Sequence, residues 1–232
     1  MKAKSIMLIV VFALSIFTGT LIYADEPVKQ CQKMQVEYDR KCGKTTNPYN
    51  FTQLKQPGDC AEVTVLAKSH WNASRLLLEK GRHYRFDILN ADGKDSATTG
   101  NSNQGQWCDG SIITNAQGWY IDNKGNQPGG TQCPAQCSKC KHKKAVRGGA
   151  VNLGGLSNAM IKGAGLIKRK RDANWFALIG VIDGPDKTEF TISDGLQQTA
   201  AVQGEFCAYA NDVAFKYGNN SGAIVVRVTA QE

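Results

Sequence analysis

Between Ala61 and Thr229, several short runs place apolar side chains at every second position, as strands do. Val63 and Val65 alternate with polar residues. Tyr84, Phe86 and Ile88 alternate with Arg85 and Asp87. Phe206, Ala208 and Ala210 alternate with Glu205, Cys207 and Tyr209, and Ile224, Val226 and Val228 with Val225, Arg227 and Thr229. A period of two puts one set of side chains on each face of a pleated strand. Leu76 to Leu78 form a short apolar run that ends at Lys80-Gly81, and Phe190 with Ile192 marks a further strand. Trp175 to Ile182 is almost wholly apolar, as a central strand buried on both faces would be. Gly, Asn and Asp separate these runs, so the fold class expected is all-β, an antiparallel β-sandwich spanning residues 61–232.

The N-terminus reads differently. Lys2 and Lys4 precede an apolar run from Ile6 to about Phe17, and a small residue, Ala24, stands before Asp25. Residues 1–24 are therefore expected to be a secretory signal peptide. Without Lys2 and Lys4 the formal net charge falls from +8 to +6. That mild excess suits loose attraction to an anionic envelope surface. All eight cysteines, Cys31, Cys42, Cys60, Cys108, Cys133, Cys137, Cys140 and Cys207, follow the signal segment. An even number in an exported chain favours disulfides over thiols or zinc, and places the protein in the periplasm or outside the cell. Residues 25–60 form a separate Cys-containing segment and linker. Val28, Cys31, Met34, Tyr38 and Cys42 fall at three- and four-residue spacings, which predicts a helix. On a straight helix Cys31 and Cys42 would lie about 16 Å apart along the axis. Disulfide partners need Cα atoms within roughly 7 Å, so these two are expected to bond elsewhere and staple the helix to the sandwich.

Residues 92–106 and 123–171 carry little periodicity and read as long loops, with one short helix near 156–167. Two basic clusters sit there: Lys139, Lys141, Lys143, Lys144 and Arg147, then Lys168-Arg169-Lys170-Arg171. Neither is interleaved with aromatics or set in a known module, so no nucleic-acid partner is expected. His70, His83 and His142 are isolated, and no nucleophile, zinc-protease or phosphate-loop motif occurs. The expectation is a protein that is not an enzyme. Trp119, beside Gly118 in a polar loop, is the best placed aromatic platform for a sugar, whereas Trp175 reads as core.

The segment with the most chemistry runs Asn211-Asp212-Val213-Ala214-Phe215-Lys216-Tyr217-Gly218-Asn219-Asn220-Ser221-Gly222, and a strand follows it. Asp212, Asn219 and Asn220 bring a carboxylate and two amides within seven to eight residues. Hard oxygens of this kind suit Ca²⁺. The same residue types also favour turns, so an Asn/Asp/Gly hairpin loop without an ion stands as the alternative.

This segment resembles the calcium loop of the LecA-like family of galactophilic bacterial lectins. The resemblance continues through Gly204 to Asp212, through Trp175 to Ile182 with Phe190 and Ile192-Ser193-Asp194-Gly195, and more weakly through Gly81 to Ile88 and Trp107-Cys108-Asp109. It implies a jelly-roll-like sandwich of the galactose-binding-lectin type. It implies a calcium site made by the Asp212 carboxylate, the Lys216 main-chain carbonyl and the Asn219 and Asn220 amides. In that family the ion takes two adjacent sugar hydroxyls, which the Asp and Asn side chains also bind. Asp212, Asn219 and Asn220, with Trp119, are thus the expected carbohydrate-binding residues. Lys216 stands where the family has threonine, and the family's pocket His and Gln have no counterpart at matching positions. The function expected is an exported calcium-dependent lectin for a galactoside, or for an anionic glycan within reach of Lys216. The alternative is an interaction module on the same sandwich with the sugar site lost.

Overall fold

A computed structural model describes residues 30–42, 50–89, 105–109, 112–120, 122, 128–132, 168–184 and 188–232. The expected signal peptide, Cys133, Cys137, Cys140, the first basic cluster and the short helix near 156–167 lie outside the described residues. The described chain is nearly all β. In order the strands are β1 (Gln32–Lys33), β2 (Glu37–Tyr38), β3 (Thr52–Gln53), β4 (Cys60–Leu66), β5 (Asn72–Leu78), β6 (His83–Leu89) and β7 (Trp107–Asp109). Then come β8 (Ile112–Thr114), β9 (Gly130–Gln132), β10 (Leu178–Ile182), β11 (Phe190–Thr191), β12 (Leu196–Thr199), β13 (Gly204–Ala210) and β14 (Asn220–Ala230).

They form two sheets. In the first, β14 is the spine: it pairs with β4 through Ala223–Thr229, with β6 through Val225–Ala230, and with β7 through Asn220–Gly222. β12 extends it beyond β6, and β8 and β9 extend it beyond β7. The second runs β11-β10-β13-β5-β2, with β3 also on β5. Most pairings are antiparallel, but β1 on β4 and β3 on β5 are parallel, so both sheets are mixed.

The alternating residues face each other across the gap, giving a sandwich-like core. Val63, Val65, Phe86, Ile88, Val226 and Val228 from the first sheet bury against Leu76, Leu78, Leu178, Phe206 and Ala208 from the second. The other face of the second sheet is also covered. Ile179, Val181, Cys207 and Tyr209 pack there with Cys42, Ala73 and Trp71. This explains why β13 is buried along its whole length. Its outward Glu205 pairs with Arg40, at 2.9 Å to Nη1, and accepts the Arg75 N–H at 2.9 Å.

The expected N-terminal helix is not there. Residues 32–33 and 37–38 are strands, one on each sheet, and the intervening chain crosses between them. Met34 and Val36, two residues apart, pack against the core while Tyr38 is exposed. The strand period held by Met34 and Val36 prevails over the helix spacing. The segment is pinned at both ends by Cys31–Cys60 and Cys42–Cys207. Cys31 and Cys42 do bond elsewhere, but because they serve different sheets rather than because a helix separates them. Cys108 is disulfide-bonded as well. The disulfides mark an oxidising, non-cytoplasmic environment. No helix among the described residues is long and apolar enough to cross a membrane.

Candidate metal centre

The centre forms where three chain segments meet at the start of β14. β13 ends at Ala210 and delivers Asn211 and Asp212. A short 3₁₀ turn at Tyr217–Asn219 leads into β14. Strand β7 runs alongside, with Asp109 directly opposite Asn220 and Trp107 opposite Gly222. Gly222 has φ +93°, and a Cβ there would sit 3.0 Å from Trp107 Cα, so the close approach of these strands requires glycine.

Asp212 is buried. Its Oδ1 accepts the Val213 N–H at 2.7 Å, and its Oδ2 accepts from Asn220 Nδ2 at 3.0 Å. Asn219 Nδ2 donates to Asp109 Oδ1 at 3.3 Å, and Trp119 Nε1 donates to Asp109 Oδ2 at 3.2 Å. The expected set Asp212, Asn219 and Asn220 is therefore brought together, and a second carboxylate joins it. Burial, then the nearby Asp212 charge, pushes Asp109 up to about 7, while its bonds from Trp119 and Asn219 oppose the rise. Burial also raises Asp212, against its bonds from Asn220 and Val213 and the charge of Lys216.

Asn220 is 1 % exposed, and its Oδ1 has no donor among the described residues. Leaving such an oxygen unpaired costs about 1–3 kcal/mol. Its NH₂ is used twice, toward Asp212 and toward Ala67 O at 3.3 Å. Each of the two amides points its NH₂ at a carboxylate, and a half-turn about χ2 would present the carbonyl oxygen instead. The donor set is thus two carboxylates and two amide oxygens, all hard, with formal charge to balance a divalent cation. Lys216 is exposed, and its carbonyl accepts the Asn219 N–H at 3.3 Å.

The loop is held from behind. Asn211 binds the segment 168–174 through Lys170 N at 2.9 Å, Lys170 O at 2.8 Å and Asn174 O at 2.9 Å. The Arg169 guanidinium lies over Tyr209 at 3.4 Å and Trp71 at 4.0 Å, and donates to Tyr217 Oη at 3.1 Å and to His70 O. Tyr217 stacks on His70 at 4.4 Å. Arg169 is thus absorbed into packing, and Lys170 pairs with Asp172 at 2.9 Å.

Trp119 does not offer an open ring face. It is 4 % exposed and stacked on Trp175 at 5.9 Å, and it serves to hold Asp109. Gly118 makes this possible: at φ +71° a side chain there would meet Trp175 O. Asp109 itself was visible in sequence only as part of Trp107-Cys108-Asp109-Gly110. The β7–β14 register is what assigns it to the centre. The grouping of Cys42, Cys207 and Glu205 is a disulfide beside a buried carboxylate, with its sulfurs already bonded to each other.

No family model and no curated protein matches this chain.

Proposed function

We propose that the protein is an exported, calcium-dependent carbohydrate-binding protein, periplasmic or secreted, built on a jelly-roll-like sandwich of the galactose-lectin type. It is a binding protein and not an enzyme. One observation carries the reading: the buried Asn220, whose Oδ1 has no donor, lays its amide against Asp212, beside Asn219 on Asp109. Asp109, Asp212, Asn219 and Asn220, with the Lys216 carbonyl, would hold Ca²⁺. When bound, the ion supplies coordination positions for two adjacent hydroxyls of a sugar. The protein's own part is to fix these ligands on strand ends and to accept hydrogen bonds from those hydroxyls through Asp212. Trp119 keeps Asp109 in place, and the segment 168–174 keeps Asn211 and Asp212 in place.

The test is calorimetric titration of CaCl₂ into the mature protein, followed by a glycan array with and without EDTA. One calcium per chain and chelator-sensitive glycan binding are expected. Absence of calcium binding at millimolar concentration would refute the site. A calcium-dependent melting shift without glycan binding would leave an interaction module stabilised by the ion.

A further inference from the structure

The N-terminal crossing segment meets the loop that carries Asp212 and Asn219 at His70, in the turn between β4 and β5. Asp39, the residue after β2, has φ +60°. Few side chains adopt that conformation, but Asp and Asn enter it more readily than most. There the Asp39 N–H donates to Trp71 O at 2.8 Å, and Asp39 Oδ1 accepts the His70 N–H at 2.8 Å. This pair of bonds fixes the His70 backbone, and Arg169 adds a bond to His70 O. The ring then faces the loop. His70 Nε2 lies 2.6 Å from Ala214 O, and the ring stacks on Tyr217 at 4.4 Å. A carbonyl oxygen only accepts, so Nε2 carries the hydrogen.

Ala214 stands two residues from Asp212 and two from Lys216, in a turn closed by the Lys216 N–H on Val213 O at 3.0 Å. The Ala214 and Phe215 side chains are exposed, so packing does little to hold this turn and the main-chain bond from His70 does more. The other end of the contact is anchored. Arg40, next to Asp39, pairs with the buried Glu205, and Cys42, three residues on, is bonded to Cys207. A loop held in shape before its ligand arrives loses less freedom on binding.

We infer that Asp39 and His70 are positioning residues for the calcium centre, and that the crossing segment is a strut that keeps the 213–216 turn in its binding conformation. This rests on the calcium reading above, and neither residue is among the ligands.

The test is calorimetric titration of CaCl₂ into variants of the mature protein. His70→Ala should weaken calcium binding about fivefold, the worth of one hydrogen bond. His70→Gln, whose amide nitrogen takes the place of Nε2, should recover most of the loss. Asp39→Gly keeps the backbone conformation without the acceptor and should cost about as much, whereas Asp39→Asn keeps both and should bind like the wild type. His70→Ala combined with Asp39→Gly should lose no more than either alone, because both break the same chain of contacts. Melting in EDTA should stay close to the wild type's throughout, since the His70 and Asp39 side chains are 49 % and 62 % exposed. The ¹⁵N shifts of the His70 ring should show a hydrogen on Nε2. His70→Ala and Asp39→Gly binding calcium as tightly as the wild type would overturn this inference alone. Additive losses in the double variant, or a His70 hydrogen on Nδ1 only, would do the same. Asp39→Asn as weak as Asp39→Gly would overturn it in favour of a charge effect, and affinity lost only where melting in EDTA also collapses would overturn it in favour of a general role in folding. A wild-type protein that binds no calcium overturns it together with the calcium reading.

Discussion

Asp109 carries the sharpest residue-level consequences. Burial and the Asp212 charge hold a proton on it up to about 7, well above the ordinary value of 3.8. An acid whose folded-state value is raised binds more protons folded than unfolded between those two values. Stability in EDTA should therefore fall as pH rises from about 4 to about 7, and level off above that window. Thermal melting at pH 5 and pH 8 measures the slope. Calcium should abolish it, and the Asp109→Asn variant should flatten it even in EDTA. A wild-type melting temperature that rises with pH as steeply as the variant's would show that the carboxylate is not strained. The same substitution should weaken calcium binding roughly tenfold or more, because the charge count of the ligands sets affinity. Asp212, Asn219 and Asn220 were legible in sequence because they are close along the chain. Asp109 was not, because nothing local distinguishes it, and its place depends on a strand register formed across the fold. Trp119 misled for a related reason: a polar neighbourhood in sequence says little about what a neighbouring strand lays over the ring.

Among the elements, the long strands are legible in sequence and most of the short ones are not, although Phe190 with Ile192 marks β11. β4, β6, β13 and β14 each hold three or more alternating apolar positions, enough to show a period. β7, β8 and β9 have three residues each, too few for a pattern, and they fall in or beside stretches that read as loop. The N-terminal segment misread because Cys31, Met34, Tyr38 and Cys42 satisfy helical spacing, while the contacts made by Met34 and Val36 decide otherwise. Its Arg40 meets Glu205, which is 1 % exposed. Removing one partner of a buried ion pair leaves an uncompensated charge. Arg40→Ala should accordingly cost about 2 kcal/mol in denaturant unfolding, below the range for fully buried pairs because the Arg40 side chain is itself 36 % exposed. A cost below about 0.5 kcal/mol would mean that the pair behaves as a surface ion pair. The segment 168–174 makes a second prediction at this scale. Arg169 fills the space between Trp71 and Tyr209 and reaches Tyr217. Arg169→Ala should speed amide exchange across residues 212–217 and lower calcium affinity, while exchange in β4 stays slow. Protection unchanged in that loop would show that the side chain does not hold it.

For the whole molecule, the two described bridges join the ends of one short crossing segment to different sheets. Cys31–Cys60 closes a separation of 29 residues, and Cys42–Cys207 one of 165. On the chain-entropy argument they restrict the unfolded state by about 3.6 and about 5 kcal/mol. Together that is comparable to the total stability of an ordinary domain, about 5–15 kcal/mol. Calcium at the proposed site would have a different grip on the same fold. The proposed calcium site lies where β14 begins, and β14 pairs with β4, β6 and β7, so an ion bound there would stabilise the spine of the first sheet. At a hundredfold excess over its Kd, a ligand of the folded state adds about 2.7 kcal/mol. The bridges should therefore dominate. Replacing Cys42 and Cys207 together by alanine should lower the melting temperature by about 10 °C or more, since each kcal/mol is worth about 2–4 °C in a chain of this size. Saturating calcium should recover only part of that loss, and peptide mapping of the wild type should recover Cys31 joined to Cys60 and Cys42 joined to Cys207. A double variant that melts with the wild type would mean that strand pairing of residues 32–33 and 37–38 secures the segment without its covalent ends.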